Sequence, residues 1–342
     1  MNIDSWIAAK IGSEQGEAPA RAALSAYQLA RLRETIAYAK RNSPFYERTL
    51  ADIDPDRDIR ALEDIASVPL MDETALIDEG ELMICVPASG VSRIVTVETS
   101  GTIGLPKRIY FTEEDQELMI DYVYHGLKVM AGSSDVFLVL MPCERPGSVG
   151  DLVRIGLERM GASVIALGIL PVDGSRDAEA LALMRERGVT SMLATAGAAA
   201  RLAEKSIGDM TLEKNMRTVL LSAEYVSDDR RALIERAWDC KVFEHYGMTE
   251  MGLGGAMACE ARSGYHPREA DILFEIIDPM TGEPVPDGAY GEVVFTTLTR
   301  QAMPFIRYRT GDFSRWLPGR CSCGSVLKRL ARVGDRKITK GY

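Results

Sequence analysis

The chain has 342 residues, of which 46% are apolar, so it carries enough hydrophobic surface for a buried core and is neither disordered nor fibrous. Its 50 acidic and 40 basic residues give a formal charge of −10, which argues against nucleic acid as a partner. No run approaches the roughly 18 apolar residues of a membrane span, and the first residues lack the pattern of an export signal. We therefore expect a soluble, cytoplasmic protein with two or three cores and no membrane partner.

The first part of the chain predicts helices. Residues 22–41 carry apolar side chains at helical spacing, which predicts one helix with a single buried stripe. The stripe comprises Ala22, Ala26, Leu29, Leu32, Ile36 and Ala39. Pro44 should end the helix, because the residue before a proline is pushed out of helical geometry. A second helical segment is predicted near residues 57–65, and residues 1–90 as a whole are predicted to be an N-terminal helical segment packed on the core.

The middle of the chain predicts an α/β fold. Short apolar runs alternate with amphipathic stretches of helical length, the pattern of a mainly parallel sheet covered on both faces. The predicted strands are 136–141, 163–167, 192–196, 219–223 and 242–246, and the predicted helices are 148–160, 175–187, 197–207 and 228–238. Beyond residue 265, turn-rich segments separate the apolar runs and favour antiparallel hairpins. We expect an α/β core over residues 91–264 and a smaller β-rich subdomain over residues 265–334.

A glycine-rich segment, TSGTIGLPK at residues 99–107, follows a β-branched run and has the composition of a phosphate-binding loop. Hydroxyl groups, backbone amides exposed by glycine and one lysine ammonium are the groups that bind phosphate. These candidates are Thr99, Ser100, Gly101, Thr102, Gly104 and Lys107. The segment is not the P-loop of kinases and GTPases, since Lys107 is not followed by serine or threonine at a helix start. The alternative interpretation is a polar hairpin turn without a ligand.

Two further motifs follow in order, HYGMTEMG at residues 245–252 and RYRTGD at residues 307–312. Together with the glycine-rich loop they resemble the signatures of the adenylate-forming superfamily of acyl-CoA synthetases, with Ile103 where a hydroxyl residue is usual. Surrounding segments, NSPFY and EIIDPMTGEPVPDG among them, are similar to the phenylacetate-CoA ligase branch. The resemblance implies an α/β fold, namely the large N-terminal domain of an adenylate-forming enzyme with mainly parallel sheets flanked by helices and a smaller antiparallel subdomain.

The resemblance also implies roles for the motif residues. Lys107, Thr249 and Glu250 are the expected catalytic residues at the phosphates, with Glu250 holding Mg²⁺. The expected nucleotide-binding residues in these motifs are Tyr246, Gly247 and Met248 beside the base, Ser222, Ala223 and Glu224 in the adenine pocket, and Asp312 at the ribose hydroxyls. Serine replaces the family's usual glycine at Ser222. The alternatives are a strand-end turn with a solvated Glu250, and an Asp312 that pairs with Arg307 or Arg309.

The chemistry of such enzymes joins a carboxylate to the α-phosphate of ATP, releases pyrophosphate, and lets the thiol of CoA displace AMP. It needs positioning and charge neutralisation rather than a protein nucleophile. The resemblance further implies a C-terminal domain of about a hundred residues, joined through a hinge at residues 335–342 and absent from this chain. We therefore expect ATP or acyl-adenylate binding with slow adenylation and almost no thioester formation, unless another chain supplies that part.

Four residues form a candidate zinc set of three cysteines and one histidine: Cys259, His266, Cys321 and Cys323. Such a set matches the tetrahedral preference of a structural zinc ion. The alternative is four separate small core residues, because a Cys-x-Cys pair is less specific than Cys-x-x-Cys. The resemblance favours the zinc site, since members of this branch often carry a cysteine-containing segment here.

The expected partners are a small aromatic carboxylic acid and CoA, and a homodimer is compatible with the sequence. His245 could line the acyl pocket or simply end a strand, whereas His125 has a helical position that favours packing. Two other functions compete with the ligase: AMP transfer to a phenolic acceptor, and a non-catalytic protein that binds a nucleotide or an aromatic ligand. Dependence on CoA would separate the first of these from the ligase.

Overall fold

The computed structural model of the chain describes residues 3–13, 19–97 and 106–334. Within these ranges the α-helices are α1 (Ile3–Lys10), α2 (Arg21–Asn42), α3 (Pro44–Thr49), α4 (Pro55–Asp58), α5 (Glu73–Glu79), α6 (Glu113–Gly126), α7 (Val149–Arg159), α8 (Asp177–Glu186), α9 (Ala196–Lys205), α10 (Met210–Asn215) and α11 (Asp228–Trp238). The strands are β1 (Arg93–Val97), β2 (Lys107–Phe111), β3 (Val136–Val139), β4 (Ser163–Ala166), β5 (Ser191–Ala194), β6 (Thr218–Leu221), β7 (Lys241–Tyr246), β8 (Ala256–Ala258), β9 (Tyr265–Pro267), β10 (Ile272–Ile277), β11 (Gly291–Thr297) and β12 (Tyr308–Ser314). Short 3₁₀ helices span Leu62–Ser67, Gly80–Met83, Ala88–Gly90, Leu127–Val129 and Thr249–Met251.

The described residues group into two compact units. The first unit contains residues 118–248 and 256–265, and the second contains residues 3–13, 19–97, 106–117, 249–255 and 266–334. The hinge predicted at residues 335–342 lies outside the described part of the chain. No helix in the described ranges is both long enough and apolar enough to cross a membrane.

The first unit is built on a mainly parallel sheet. Its strands follow the order β4, β3, β5, β6, β7, β8 and β9, and those from β4 to β7 are parallel. Every residue of β5 and β6 is buried, as expected for strands covered on both faces. Helices α7, α8, α9 and α11 lie between these strands in sequence, which confirms the predicted alternation of strands and helices.

The packing of the first unit places strand ends beside one another. β6 and β7 pair in register up to Leu221 and Glu244, so the residues that follow these two emerge at the same edge of the sheet.

The indole N–H of Trp238, a fully buried residue at the end of α11, donates to the hydroxyl of Ser206 at 2.8 Å. This hydrogen bond satisfies a polar atom that the hydrophobic core would otherwise leave unpaired.

The second unit contains two antiparallel sheets. β10, β11 and β12 form a three-stranded sheet, which confirms the predicted hairpins of the C-terminal part. β1 and β2 form a separate two-stranded sheet whose register ends with Val97 opposite Lys107. Helices α1 to α5 belong to this same unit.

Helix α2 confirms the predicted helix but corrects its buried stripe. Ala22 and Ala26 are exposed, and the buried residues are Leu24, Gln28, Leu32, Thr35, Ile36 and Ala39. Polar side chains complete the stripe because each has a hydrogen-bond acceptor. The amide of Gln28 donates to the carbonyl of Glu269 at 2.8 Å, and the hydroxyl of Thr35 donates to the carbonyl of Leu298 at 3.1 Å. A hydrophobicity pattern does not detect such residues.

The helix predicted near residues 57–65 is also corrected, because the structure has two short helices there. Helix α4 begins after Asp54, whose carboxylate accepts hydrogen bonds from the amides of Asp56 and Arg57. A 3₁₀ helix then begins at Leu62, and the carboxylate of Asp64 accepts from the amides of Arg60 and Ala61. Acidic side chains that accept hydrogen bonds from backbone amides therefore start two short helices where a single helix was predicted.

Gly291 provides a test of packing in the three-stranded sheet. A Cβ atom at this position would overlap the carbonyl oxygen of Ile277, a backbone atom that cannot rotate away. We expect Gly291→Ala to lower the free energy of unfolding by about 2 kcal/mol, measured by urea denaturation. Gly132→Ala is the matched control, because a methyl group there would have no neighbouring atom within 4 Å. Equal stability of the two variants would contradict this account of the close approach.

Candidate active site

The pairing of strands β1 and β2 holds Lys107, the last residue of the glycine-rich motif. Val97 pairs with Lys107 across the hairpin, so the intervening segment connects two hydrogen-bonded strands. Lys107 is therefore held by the backbone of β2. Five candidates for phosphate binding lie outside the described residues, namely Thr99, Ser100, Gly101, Thr102 and Gly104.

Lys107 lies between two carboxylates within the second unit. Its ammonium is 2.5 Å from Glu250 Oε1 and 2.8 Å from Glu73 Oε1. Glu250 is only 2% exposed and Lys107 is 7% exposed, whereas the side chain of Glu73 is 39% exposed. The structure thus brings together two predicted catalytic residues from distant parts of the chain and adds Glu73, which the sequence analysis missed.

The charge of Lys107 is stabilised despite its burial. Burial by itself lowers the pKa of Lys107, but the negative charge of Glu250, its hydrogen bond and the contacts of Glu73 raise that pKa above the ordinary lysine value. The side chain therefore carries a full positive charge at neutral pH. The carboxylates of Glu250 and Glu73 balance that charge in this structure.

Arg300 links the backbone segments that carry this pair. Its guanidinium donates to the carbonyl of Glu250 at 3.3 Å and to the carbonyl of Tyr110 at 3.1 Å, and Tyr110 is on the same strand as Lys107. The guanidinium also lies over the ring of Phe111 at 4.0 Å from its centroid. Burial lowers the pKa of Arg300 to about 10, so it stays charged at neutral pH. Arg300 positions both partners of the ion pair, although no sequence motif marked it.

Asp115 supports Arg300 from the start of helix α6. Its carboxylate is 3.8 Å from the guanidinium and accepts hydrogen bonds from the amides of Gln301 and Ala302. It also accepts from the amide of Thr112, whose hydroxyl accepts from the amide of Asp115 in return. The reciprocal cap fixes the start of α6. The hydrogen bonds from the amides of Gln301 and Ala302 to the same carboxylate fix the segment after Arg300.

Strand β12 carries a further contact to Glu250. The hydroxyl of Tyr308 donates to Glu250 Oε1 at 3.3 Å. Asp312, the predicted ribose ligand, follows four residues later on the same strand and is partly exposed. Arg307 pairs with Glu275 and Arg309 pairs with Glu292, so both arginines proposed as alternative partners of Asp312 bind other carboxylates.

In the first unit, residues 222–224 follow strand β6 at the edge of the sheet. The hydroxyl of Ser222 lies 3.0 Å from Nδ1 of His245 on β7. Ala223 is exposed and has a φ of 67°, a left-handed conformation that is uncommon for alanine. The carboxylate of Glu224 accepts a hydrogen bond from the amide of Gly197 at 2.8 Å, at the start of α9.

Tyr246, the residue predicted to face the nucleotide base, ends strand β7 in the same unit. Its ring stacks on that of Tyr265, with centroids 6.5 Å apart and an interplanar angle of 26°. The hydroxyl of Tyr265 donates to Glu244 at 2.9 Å, and Arg231 forms an ion pair with the same carboxylate. The hydrogen bond to Glu244 therefore holds the Tyr265 ring on which Tyr246 stacks, and Arg231 holds Glu244. Gly247 and Met248 continue from β7 as predicted components of the same motif.

Three of the predicted metal ligands meet in the second unit. The ligand atoms of His266, Cys321 and Cys323 lie within 4.8 Å of one another, and Cys323 Sγ is 3.4 Å from His266 Nε2. Nδ1 of His266 faces the carbonyl of Lys328 at 3.1 Å, and since a carbonyl can only accept, Nδ1 carries the proton. The lone pair of the neutral ring is then on Nε2, beside the thiol. Cys259, buried in the first unit, stays a predicted ligand.

Comparison with known proteins gives concordant matches. A family model described as AMP-binding enzyme matches residues 72–299. The phenylacetate-coenzyme A ligase of Thermus thermophilus is 32% identical over 94% of this chain and 73% of its own length. That of Pseudomonas putida is 33% identical over 92% of this chain and 71% of its own length.

A solved structure agrees in fold. A 2-hydroxyisobutyryl-CoA ligase in complex with 2-HIB-AMP and CoA superposes with a TM-score of 0.83 at 24% identity. The superposition covers 93% of this chain and 69% of the ligase. The predicted fold class, mainly parallel sheet flanked by helices with smaller antiparallel sheets, is thereby confirmed.

The buried ion pair can be tested by stability alone. Lys107→Met leaves the carboxylate of Glu250 buried without its ammonium, so we expect a loss of about 3 kcal/mol in the free energy of unfolding. The double variant Lys107→Met/Glu250→Gln should lose less than the two single variants combined, as measured by a double-mutant cycle in urea.

The control for this cycle is the neighbouring residue on β2. Arg108 pairs with Glu81 at 3.4 Å, and the two side chains are 55% and 74% exposed. Arg108→Met should therefore change stability by less than about 1 kcal/mol. If Lys107→Met and Arg108→Met cost the same, the pair does not stabilise the unit in the way its burial indicates.

Proposed function

The chain belongs to the AMP-binding enzyme family, in a branch similar to phenylacetate-CoA ligases, and from this we propose that it is an ATP-dependent ligase that joins an aryl or arylacetic acid to CoA. The observation that carries the proposal is the buried contact between Glu250 and Lys107, the last residue of the glycine-rich sequence motif. The aromatic nature of the acid rests on the relatives, whereas the handling of phosphate rests on these residues.

In the first half-reaction, a carboxylate oxygen of the acid attacks the α-phosphorus of ATP. The bond from that phosphorus to the bridging oxygen breaks, and pyrophosphate leaves with the bonding electrons. Negative charge grows on the phosphate oxygens, where a prepositioned ammonium stabilises it more than water does because it needs no reorganisation. Lys107 supplies that ammonium, and Thr249 supplies a hydroxyl next to Glu250 in the chain.

Glu250 fits the role of a magnesium ligand. Mg²⁺ in ATP sites is held by one or two carboxylates together with phosphate oxygens and water. Lys107 and Tyr308 both contact Oε1 of Glu250, and Glu250 is the residue that would hold the metal. Mg²⁺ would supply charge neutralisation at the phosphates, while Lys107 and Tyr308 keep the carboxylate in place.

We assign the adenosine part of ATP to residues of the HYGMTEMG and RYRTGD motifs and to residues 222–224. Tyr246 offers a flat ring, braced by Tyr265, for the base. Ser222, Ala223 and Glu224 are assigned to the adenine pocket, and the carboxylate of Asp312 to the ribose diol. In the second half-reaction the sulfur of CoA attacks the acyl carbon, and the bond to the AMP oxygen breaks to release AMP and the thioester.

We also propose a structural zinc ion held by Cys259, His266, Cys321 and Cys323. The tautomer of His266 supports this, because its protonated Nδ1 is fixed by the Lys328 carbonyl and its Nε2 faces the cysteines. Three thiolates and one imidazole would complete a tetrahedron and leave no position for a substrate, so the ion would hold chain segments together rather than react.

The ligase proposal predicts release of pyrophosphate that depends on both ATP and an aromatic acid, and formation of acyl-CoA when CoA is added. Lys107→Met should lower kcat about 10²-fold, because it removes the positive charge that stabilises the reacting phosphate in the transition state. Lys214→Met, an exposed lysine in α10, should leave kcat unchanged. Coupled pyrophosphate and thioester assays give both rates.

Three outcomes would contradict the ligase. Turnover of a phenol with ATP but without any CoA dependence would indicate an AMP transferase. Nucleotide binding with no turnover on any acid would indicate a binding protein. A Lys107→Met variant as active as Lys214→Met would remove the role assigned to Lys107.

The zinc proposal is tested by metal content rather than by activity. Protein purified in zinc-containing medium should hold one equivalent, and Cys321→Ser or Cys323→Ser should lose it and lower the melting temperature. Cys143→Ser is the control, as Cys143 is a partly exposed cysteine of the first unit. Absence of zinc from the wild-type protein, or retention of zinc by both serine variants, would reject the site.

A further inference from the structure

We propose that a cavity in the second unit binds a small organic cation, namely an ammonium or guanidinium group carried on an amide. The cavity has a volume of about 360 Å³, within the range of small-molecule sites, and helix α2, strand β10 and Trp316 contribute to its lining. Every residue that lines it belongs to the second unit. None of these side chains is assigned to the nucleotide, the acid or zinc, so the inference goes beyond the ligase proposal and does not depend on it.

Trp316 provides an aromatic face that already holds a cation. The residue is 8% exposed and lines the cavity. A β-bridge to Leu330 fixes its backbone, and its carbonyl accepts from the amide of Gly288 at 3.1 Å. The ammonium of Lys328 lies 4.9 Å from the centroid of the ring, which is the geometry of a cation–π contact. Because Lys328 is exposed, its ammonium can turn to solvent and leave the same face to the cation of a ligand.

Two of the carboxylates in the lining are neutralised by arginines. Glu269 forms an ion pair with Arg21, which also lines the cavity. Glu275 forms an ion pair with Arg307 at 2.9 Å. Both glutamates are buried, and each already has a positive partner within the protein. They therefore do not determine which charge the cavity prefers.

Two further carboxylates in the lining have no such partner. Glu63 and Asp287 are exposed, and neither forms an ion pair with any residue in the described part of the chain. Asp287 directly precedes Gly288, whose amide is bonded to Trp316, so one carboxylate is held near the aromatic face. The two negative charges exceed the single positive charge of Lys328, and a concave site with such an excess attracts cations.

Strand β10 adds main-chain groups that can bind an amide. It is an edge strand of the three-stranded sheet, and its consecutive residues 273–276 all line the cavity. Since successive side chains point to opposite faces of a sheet, a cavity that touches all four residues lies along the strand edge. The carbonyl of Ile276 accepts from the amide of Val285 at 2.9 Å on that edge, and because main-chain groups alternate in direction, those of Phe274 face the same way. Within the described ranges, nothing outside the sheet bonds to the main chain of Phe274.

These features together select one class of ligand. An ammonium or guanidinium group can lie on the ring of Trp316, beside the unpaired carboxylates of Glu63 and Asp287. An amide of the same molecule can donate to and accept from the main chain of Phe274. An anion would meet the excess of negative charge, and an uncharged chain of the same length would leave that excess uncompensated. Amide derivatives of lysine and arginine carry both of the required groups.

The test measures binding by isothermal titration calorimetry and requires no turnover. The probes are Nα-acetyl-lysine methylamide and Nα-acetyl-arginine methylamide, and Nα-acetyl-norleucine methylamide has the same amides without the charge. We expect the two cations to bind at least about tenfold more tightly than the norleucine compound. A longer peptide with one central lysine separates the sources of such a cation. Binding of the small amide alone indicates a free compound, and equal binding of the peptide indicates the side chain of a protein.

Variants of the lining test the sign of the charge. Trp316→Leu should weaken binding of the lysine probe about tenfold, and Glu63→Gln and Asp287→Asn should weaken it about threefold each. Lys328→Met should act in the opposite direction and tighten binding about threefold, because it removes a competing ammonium from the ring. Glu47→Gln is the control, since Glu47 is an exposed glutamate of α3 outside the cavity.

Three results would overturn the inference: equal affinity of the wild-type protein for the charged and uncharged probes, weaker binding to Lys328→Met than to the wild-type protein, and no binding of either cation. Because Lys328, Glu63 and Asp287 are exposed, their variants keep the test decisive if Trp316→Leu does not fold. Release of pyrophosphate is not measured in any of these experiments, so the ligase proposal is tested separately.

Discussion

A positive charge buried between two acidic side chains is the constraint around which the second unit is arranged. Lys107 reaches Glu250 only because the β1–β2 hairpin, the segment after β7 and strand β12 converge there. A buried ammonium is costly unless a carboxylate lies beside it, so the burial of either partner requires the other. The ion pair thus links strand β2 to the 3₁₀ helix Thr249–Met251.

Each unit holds its own group of predicted site residues. In the second, the ammonium of Lys107 and the carboxylate of Glu250 form a buried ion pair. In the first, Tyr246 stacks on Tyr265 and Ser222 contacts His245 at the ends of the parallel strands β6 and β7. The family match, over residues 72–299, includes residues of both units.

The sequence predicted the parts of the fold that local patterns determine. Apolar runs of strand length and the intervening amphipathic segments identified β3 to β7 and their helices, and three ordered motifs identified Lys107 and Glu250. Long-range polar contacts were not predictable in this way. Glu73 lies 34 residues before Lys107 and Arg300 lies 50 residues after Glu250, and no site role was predicted for either residue. Their partners become evident only when the chain is folded.

Arg300 binds main-chain oxygens at Glu250 and Tyr110 rather than their side chains. A carbonyl group is the same in every amino acid, so replacements at position 110 leave this link intact during divergence. Only the loss of the guanidinium itself, or a shift in backbone path, would break it. A substitution at position 110 that keeps the backbone path therefore leaves the ammonium of Lys107 and the carboxylate of Glu250 in their places.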